Sequence, residues 1–371
     1  MFLCYSEYMP QWAKNVEKKV RELFPKYGHY IPTVALLWGL FWDTLTLRRP
    51  DSLFENATVI GYLSLSACAI ILLNLRRARR GGDPSLILLA FMQFAFGNLM
   101  SALIILYAKS GTLAGSVIFF AVFGALLVGN EFVRDRYSKI HVHVAVWYVL
   151  LIAYCIVVVP ILIGSIGDMV FLASMFTSLA IVSGFVAALY AIATKDLAAR
   201  LYHIVGSVAA IAVLMTVLYF TGAIPPAPLM MRHIGIYHTV ARTLEGDYRA
   251  SFEEPHWYEF LSDTARVYMH APGRKAYCAS SVFAPARLET PIFHRWQFYE
   301  PVQQKWVDVA RIPFSIRGGR DSGFRGYTEI TTLKAGSWRC DVETERGALI
   351  GRITFDVVES TEAPELAEVI F

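Results

Sequence analysis

A cluster of arginines in the last third of the chain has side chains that suit the binding of an anion. Asp321 is the only acidic residue between the first arginine and Tyr327, and glycines in this stretch let backbone amides approach a ligand closely. Guanidinium forks pair well with carboxylates and phosphates. The pattern therefore favours a binding loop for an anionic glycan, a lipid headgroup or an envelope protein, formed by Arg311, Arg317, Arg320, Arg325 and Tyr327. An arginine-bearing turn whose glycines serve only the backbone is the simpler interpretation.

Two of the five cysteines, Cys278 and Cys340, lie in the same C-terminal part of the chain. No CxxC motif or Cys/His metal spacing is present, so the sequence predicts neither a metal nor a cofactor. If this part of the chain lies in an oxidising compartment, a disulfide between Cys278 and Cys340 is possible. Two buried thiols are the simpler interpretation.

Residues for catalysis or transport are sparse. His141 and His143 are two apart, so on a helix they point in different directions and make a poor metal pair. The clustered polar residues Glu131, Asp135, His141, His143 and His203 have no recognised catalytic spacing, and we assign no catalytic residue. A transporter would need a polar cavity. Gln93, Asn98 and His203 are the residues able to line one.

The composition predicts an integral membrane protein. Hydrophobic residues make up 56% of the chain and charged residues 17%, against about 25% charged in a soluble domain. A membrane span needs about 20 apolar residues. Seven segments qualify: Tyr30–Leu47, Ala57–Leu75, Leu86–Tyr107, Thr112–Asn130, Val144–Gly164, Met169–Thr194 and Leu201–Ala223. Small residues spaced four apart, such as Ala180, Gly184 and Ala188, predict close helix packing in a compact bundle.

The loops between these segments predict the orientation. Fourteen Lys and Arg residues fall in the N-terminal segment and in the second, fourth and sixth loops, whereas the opposite short loops hold only Arg48, Arg49 and Lys109. Basic loops stay in the cytoplasm, so the N-terminus is predicted to be cytoplasmic. Seven spans then place the C-terminus in the periplasm. The net charge of +4 is modest, and the basic residues beside apolar runs suit phospholipid headgroups better than nucleic acid.

The chain divides into five predicted regions. Residues 1–28 read as an amphipathic helix on the cytoplasmic surface, and residues 29–224 hold the seven spans. Residues 225–274, rich in Pro and aromatic residues, form a periplasmic connector. Residues 275–360 form a β domain, and residues 361–371 form a tail.

The β domain is predicted from period-two alternation of apolar and polar residues. Trp338, Cys340 and Val342 alternate with charged residues, and Ile292, His294 and Trp296 share a face. We expect His294 to be buried and hydrogen-bonded there. Several short strands over this length suggest a small immunoglobulin-like β-sandwich.

Several motifs resemble a known family. They are Ser281-Val282-Phe283-Ala284-Pro285, His294-Arg295-Trp296, Arg311-Ile312-Pro313-Phe314, Gly318-Gly319-Arg320, Gly323-Phe324-Arg325-Gly326-Tyr327 and Gly336-Ser337-Trp338-Arg339. Together they resemble the C-terminal domain of uncharacterised multi-pass inner-membrane proteins of Gram-negative bacteria, a domain of unknown function. The resemblance implies this architecture and an envelope location. It implies no reaction and no catalytic residues.

The sequence therefore favours a non-catalytic inner-membrane protein whose periplasmic β domain binds an envelope ligand or protein partner, as a sensor or scaffold. A small-solute transporter or channel is the first alternative. A membrane enzyme acting on a lipid-linked substrate is the second.

Overall fold

The computed structural model describes residues 50–370, apart from 81–85, 113–115, 133–139, 193–199, 245–246, 256, 258–263, 272, 320–321 and 361–363. The predicted cytoplasmic surface helix and the first predicted span lie outside the described residues. Two parts are seen, a bundle of α-helices followed by a β domain.

Six described helices form the bundle, each built on one of the long apolar runs. They are α1 (Leu53–Arg80), α2 (Leu86–Lys109), α3 (Val117–Phe132), α4 (Ile140–Ile163), α5 (Asp168–Ile192) and α6 (Leu201–Phe220). Five of them are long and apolar enough to cross a membrane. The exception is α3, whose 16 residues span about 24 Å, less than the roughly 30 Å of a hydrocarbon core.

The centre of the bundle is α4, the most buried of the five long helices. Its Trp147 indole N–H donates to the carbonyl of Leu63 on α1 at 3.0 Å. The hydroxyl of Tyr107 on α2 donates to the carbonyl of Ala153 on α4 at 2.8 Å. These bonds give polar groups inside the apolar bundle a partner, and they fix α1 and α2 against α4.

The predicted packing role of the small residues on α5 is wrong. Ala180, Gly184 and Ala188 are exposed, and the opposite stripe, with Ser174 and Ser178, is buried. Both serine hydroxyls donate to carbonyls of their own helix. Each serine can therefore face the interior of the bundle with its hydroxyl hydrogen-bonded. The spacing of small residues alone could not tell which face of α5 packs.

The loops after α2 and α4 lie at the same end of the bundle as the β domain. Gly111 approaches Pro225, which follows α6, and the carbonyl of Leu349 in the β domain. The carbonyl of Gly164 accepts a hydrogen bond from the amide of Glu289 at 3.4 Å. These loops carry few basic residues, whereas Arg76, Arg77, Arg79 and Arg80 fall at the end of α1, and Arg134, Arg136 and Lys139 follow α3 in the sequence.

The β domain has eleven described strands in three sheets. The strands are β1 (Met230–Tyr237), β2 (Thr239–Arg242), β3 (Tyr248–Phe252), β4 (Val267–His270), β5 (Ala276–Phe283), β6 (Glu289–Glu300), β7 (Lys305–Arg317), β8 (Phe324–Ile330), β9 (Gly336–Thr344), β10 (Leu349–Glu359) and β11 (Ala367–Ile370). The strand orders are β1-β5-β8, β4-β10-β9-β6-β7 and β11-β3-β2. The strands β1 to β4 lie in the predicted connector and β11 lies in the predicted tail, so the β structure begins at Met230.

The main core of the β domain lies between the sheet β1-β5-β8 and the five-stranded sheet. Trp296, Trp338, Cys340 and Phe355 of the five-stranded sheet pack in one cluster with Cys278 and Ile236 of the other sheet. The predicted inward positions of Trp338, Cys340 and His294 are confirmed, since each is 2% exposed or less. The extra residue of a bulge, Val309, lies on β7 opposite Trp296 and Gln297, and Gln297 is buried on the outward side of the sheet, where it bonds to Arg339 and Asp308.

Candidate ligand-binding face

The outward side of the five-stranded sheet carries a dense set of charged groups. Because side chains alternate along a strand, Trp338, Cys340 and Val342 of β9 point into the core. Arg339, Asp341 and Glu343 therefore point outward. Neighbouring strands add further arginines at matching positions, and these residues form the outer face of the sheet.

The strand register places four of these residues in one row. Arg352 on β10 lies opposite Asp341 on β9, which lies opposite Arg295 on β6, which lies opposite Arg311 on β7. We call this row, together with Arg339, Glu343, Gln297 and Asp308, the charged face. Directly opposed residues have Cβ atoms about 5 Å apart, so each side chain of the row lies within contact range of its neighbours in the row.

Two carboxylates form the buried floor of the charged face. Asp341 accepts two hydrogen bonds from Arg352, at 2.5 and 2.6 Å, and its side chain is 1% exposed. Glu343, 2% exposed, accepts a bond from Nε of Arg311 at 2.8 Å and lies 3.6 Å from Nε of Arg295. The arginines lie over the carboxylates, which are thereby removed from water while the guanidinium groups stay partly exposed.

Aromatic rings and an amide hold the arginines from the side. The guanidinium of Arg311 lies 3.9 Å from the ring centre of Phe293, and that of Arg339 lies 4.4 Å from the ring of Trp306. Gln297 accepts from Nε of Arg339 at 2.5 Å and donates to Asp308 at 2.5 Å. Cation–π contacts of this kind restrict a guanidinium to one orientation.

The electrostatics of the charged face keep the arginines cationic and ordered. The hydrogen bonds that Arg352 donates to Asp341 raise the pKa of Arg352. Burial, and then the neighbouring charge of Arg352, lowers the pKa of Arg339. An arginine pKa starts so high that both groups remain charged near neutral pH. The charged face thus offers fixed donors for a ligand, and it has no nucleophile paired with a base.

The predicted arginine loop does not form one site among the residues that the structure describes. Arg311 belongs to the charged face. Arg317 pairs with Glu289 at 3.2 Å at the far end of β7, and both side chains are exposed. Arg325 lies on β8 in the other sheet and pairs with Asp247 at 2.6 Å. Tyr327 is on β8 too, and Arg320 lies outside the described residues.

Sequence reasoning missed most of the charged face. Arg295, Arg339, Arg352, Asp341 and Glu343 were recognised at most as the polar half of alternating strands. The available signal was the unusual charge density on outward positions of β9, where a solvent-facing strand carries Arg, Asp and Glu in succession. That signal does not identify which side chains the charged residues of β9 pair with, because the pairing depends on the register of β6, β7 and β10.

A second polar group lies deep in the core. Cys278 and Cys340 are joined by a disulfide, with their Cα atoms 6.7 Å apart. His294, fully buried beside them, bonds through one ring nitrogen to Ser280 at 2.8 Å and through the other to Thr328 at 3.0 Å. Metal-ligating atoms of the two cysteines and His294 lie within 4.8 Å of one another. Both sulfurs are used in the disulfide and both ring nitrogens have partners, so the described arrangement is structural.

The residues considered for catalysis or transport do not gather into a site in the part of the chain that the structure describes. The rings of His141 and His203 lie 5.6 Å apart, and the side chains of Glu131 and Asp135 fall outside the described residues. Asn98 donates to the carbonyl of Phe94 on its own helix.

Comparison with known proteins identifies the part of the chain that builds the charged face. Residues 289–357 match the family described as Protein of unknown function (DUF2914). These residues run from the start of β6 into β10 and include every member of the charged face. The match confirms the predicted resemblance to an uncharacterised family with a C-terminal domain, and it does not extend to the helical half. No curated protein matches the chain.

Solved structures give only weak likenesses. A β-glucosidase from Listeria innocua is 10% identical, with a TM-score of 0.21, and the match covers 30% of this chain and 16% of that chain. An immunoglobulin-like protein from Pseudomonas aeruginosa is 13% identical over 36% of this chain and 98% of that one, with a TM-score of 0.20. The chain spans about a sixth of the length of the β-glucosidases. TM-scores this low support no conclusion about fold or function.

Proposed function

We propose that this chain is an inner-membrane protein of a Gram-negative bacterium whose immunoglobulin-like β domain lies in the periplasm and binds an acidic envelope glycan on the charged face. In this proposal the chain has seven spans, with a cytoplasmic N-terminus, and the binding is non-catalytic. The observation that carries it is the row of arginines held over two buried carboxylates on an open face of the sheet.

The membrane part of the proposal is supported by the surface of the bundle. Large apolar side chains on several helices are strongly exposed, among them Leu162 at 74%, Met169 at 80% and Phe176 at 70%. A soluble protein rarely exposes so much contiguous apolar surface. The placement of the β domain is supported by the shared end of the bundle, where the loops after α2 and α4 carry few basic residues.

An acidic glycan suits the charged face better than the two other ligand classes. Arginine forks pair with carboxylates, and flat rings such as Trp306 stack on sugars. A lipid headgroup is disfavoured at the centre of the charged face, because Asp341 lies five residues along the chain from Arg346 in the turn nearest the bundle, roughly 17 Å at the rise of a strand. A protein partner is disfavoured because the centres of protein interfaces are depleted of charge, whereas charge is densest at the centre of this face.

Binding is tested on the full chain in lipid nanodiscs. Uronic-acid oligosaccharides are titrated against neutral oligosaccharides of equal length, by calorimetry. We expect binding of the acidic series only, and a loss of about tenfold in the double variant Arg295→Gln, Arg339→Gln. Arg325→Gln is the matched control, because it removes an ion-paired arginine from the other sheet. Equal binding by the double variant and the unaltered protein would refute the proposal.

The orientation is tested separately. A reporter active only in the periplasm and one active only in the cytoplasm are fused, in turn, to Phe371. We expect signal from the periplasmic reporter, and signal from the cytoplasmic one alone would overturn the assigned topology.

A further inference from the structure

A cavity lies where the β domain meets the helical bundle, and it is lined by the turn to which Arg311 of the charged face donates hydrogen bonds. Its volume is about 490 Å³. The ends of α4, α5 and α6, the segment 221–227 and the turn between β9 and β10 enclose it. This volume falls within the range of ordinary small-molecule sites.

The cavity has one apolar wall and one polar wall. The helices supply apolar side chains that include Ile156, Val170 and Phe171. The β9–β10 turn supplies the polar side, through Glu345 and Arg346. The apolar wall continues onto the exposed apolar surface of the bundle, where Met169 is 80% exposed. A ligand that fits both walls has an apolar tail and a polar head.

An ion pair lies at the polar end, and a second acidic residue lines the same cavity. Arg346 forms an ion pair with Asp168, the first residue of α5, and Glu345 lines the same cavity. The guanidinium lies 4.8 Å from the ring centres of Tyr219 and of Phe220 on α6. The hydroxyl of Tyr219 donates to Asp168 at 3.2 Å. The cavity therefore presents both signs of charge within the reach of one small headgroup.

We propose that this cavity binds one zwitterionic phospholipid of the ethanolamine type. The phosphate lies on Arg346, the ammonium lies on Asp168 and Glu345, and an acyl chain follows the apolar wall. A purely anionic headgroup would meet the two carboxylates, and an uncharged one would leave the Arg346–Asp168 pair without a role. The proposal rests on the membrane placement of the bundle and is independent of glycan binding.

Native mass spectrometry of the full chain, released from nanodiscs with a mixed-lipid bilayer, measures which lipid is retained. Ethanolamine and glycerol phospholipids are supplied with identical acyl chains. We expect retention of one ethanolamine lipid in preference to the glycerol lipid, and about a tenfold loss of that preference in Arg346→Gln. In Asp168→Asn the preference should shift toward the anionic glycerol lipid, because the anion that repels it is gone.

A control variant and a soluble competitor distinguish lipid binding in this cavity from nonspecific lipid retention. Lys275→Gln removes one member of an exposed ion pair on the β1-β5-β8 sheet and should leave retention unchanged. Soluble glycerophosphoethanolamine should fail to displace the lipid, since it lacks the tail. Displacement by this compound, equal retention of the two lipids, or an unaltered preference in Asp168→Asn would each overturn the proposal. Glycan titration on the same samples shows whether the charged face fails separately.

Discussion

The buried carboxylates of the charged face make a quantitative prediction about stability. Asp341 and Arg352 are joined at 2.5 Å with Asp341 only 1% exposed, whereas Lys275 and Glu329 are joined at the same distance with both side chains more than 40% exposed. A charge-assisted hydrogen bond to a buried group is worth about 1.5–3 kcal/mol, and removing one partner leaves the other buried without a partner. Since Arg352 is itself 31% exposed, we expect Asp341→Asn to cost about 2 kcal/mol.

Urea unfolding of the full chain in detergent, followed by tryptophan fluorescence, measures this cost. Asp341→Asn, Arg352→Gln and the double variant form a thermodynamic cycle, and the coupling energy should be about 1–2 kcal/mol. In a domain of roughly 150 residues, the cost of about 2 kcal/mol in Asp341→Asn corresponds to a fall of about 4–8 °C in Tm. The same cycle on Lys275 and Glu329 should show no resolvable coupling. Equal coupling in the two pairs would refute the reasoning, because the shortest distances match while the Asp341 pair is buried and has a second hydrogen bond.

Three further predictions concern the stability of the β domain. Burial lowers the pKa of His294 to about 3, so only the unfolded chain takes up a proton below its ordinary value near 6.5. Stability should therefore fall by up to about 1.4 kcal/mol per pH unit from pH 6.5 toward 3, and His294→Gln should flatten this slope in thermal melts. Reduction of the Cys278–Cys340 disulfide, which spans 62 residues, should cost about 4 kcal/mol, visible as a lower Tm and a mass shift on alkylation. A Cβ on Gly318 would overlap the carbonyl of Pro285, so Gly318→Ala should cost about 3 kcal/mol in urea unfolding, whereas Gly184→Ala, with open space around it, should not.

Local patterns predicted the described helices well because a long uninterrupted apolar run is itself enough to indicate a long apolar helix. The predicted span Val144–Gly164 corresponds to α4 (Ile140–Ile163), and Met169–Thr194 corresponds to α5 (Asp168–Ile192). Strands with clear alternation were also found. The early strands were not, because β4 is short and pairs in parallel with β10, which lies far along the chain. No local signal reports that pairing.

The charged face could not be predicted for a related reason. Arg295 and Arg311 were visible as basic residues, but their common site exists only because β6 pairs with β7 in a register that sets one opposite the other. The loop of glycines around Arg320 was conspicuous in the sequence, whereas Asp341 and Glu343 looked like ordinary surface acids. Asp341 and Glu343 are buried because Arg352, Arg311 and Arg295 cover them, and each of these arginines lies on a different strand from the two carboxylates.

The charged face and the junction cavity share the β9–β10 hairpin, and this makes a final prediction. Arg311 bonds to the carboxylate of Glu343 and donates to the carbonyls of Thr344 and Glu345, at 3.3 and 2.7 Å, next to Arg346 in the cavity. A ligand that draws Arg311 outward weakens its hold on the turn, so binding at one site should alter affinity at the other by the same factor.

We expect glycan affinity to differ severalfold between ethanolamine-rich and glycerol-lipid nanodiscs, with the difference abolished by Arg311→Gln. Isothermal titration in the two bilayers measures it. Identical affinities in both bilayers, with binding intact at each site, would show that the hairpin holds the two sites without linking them.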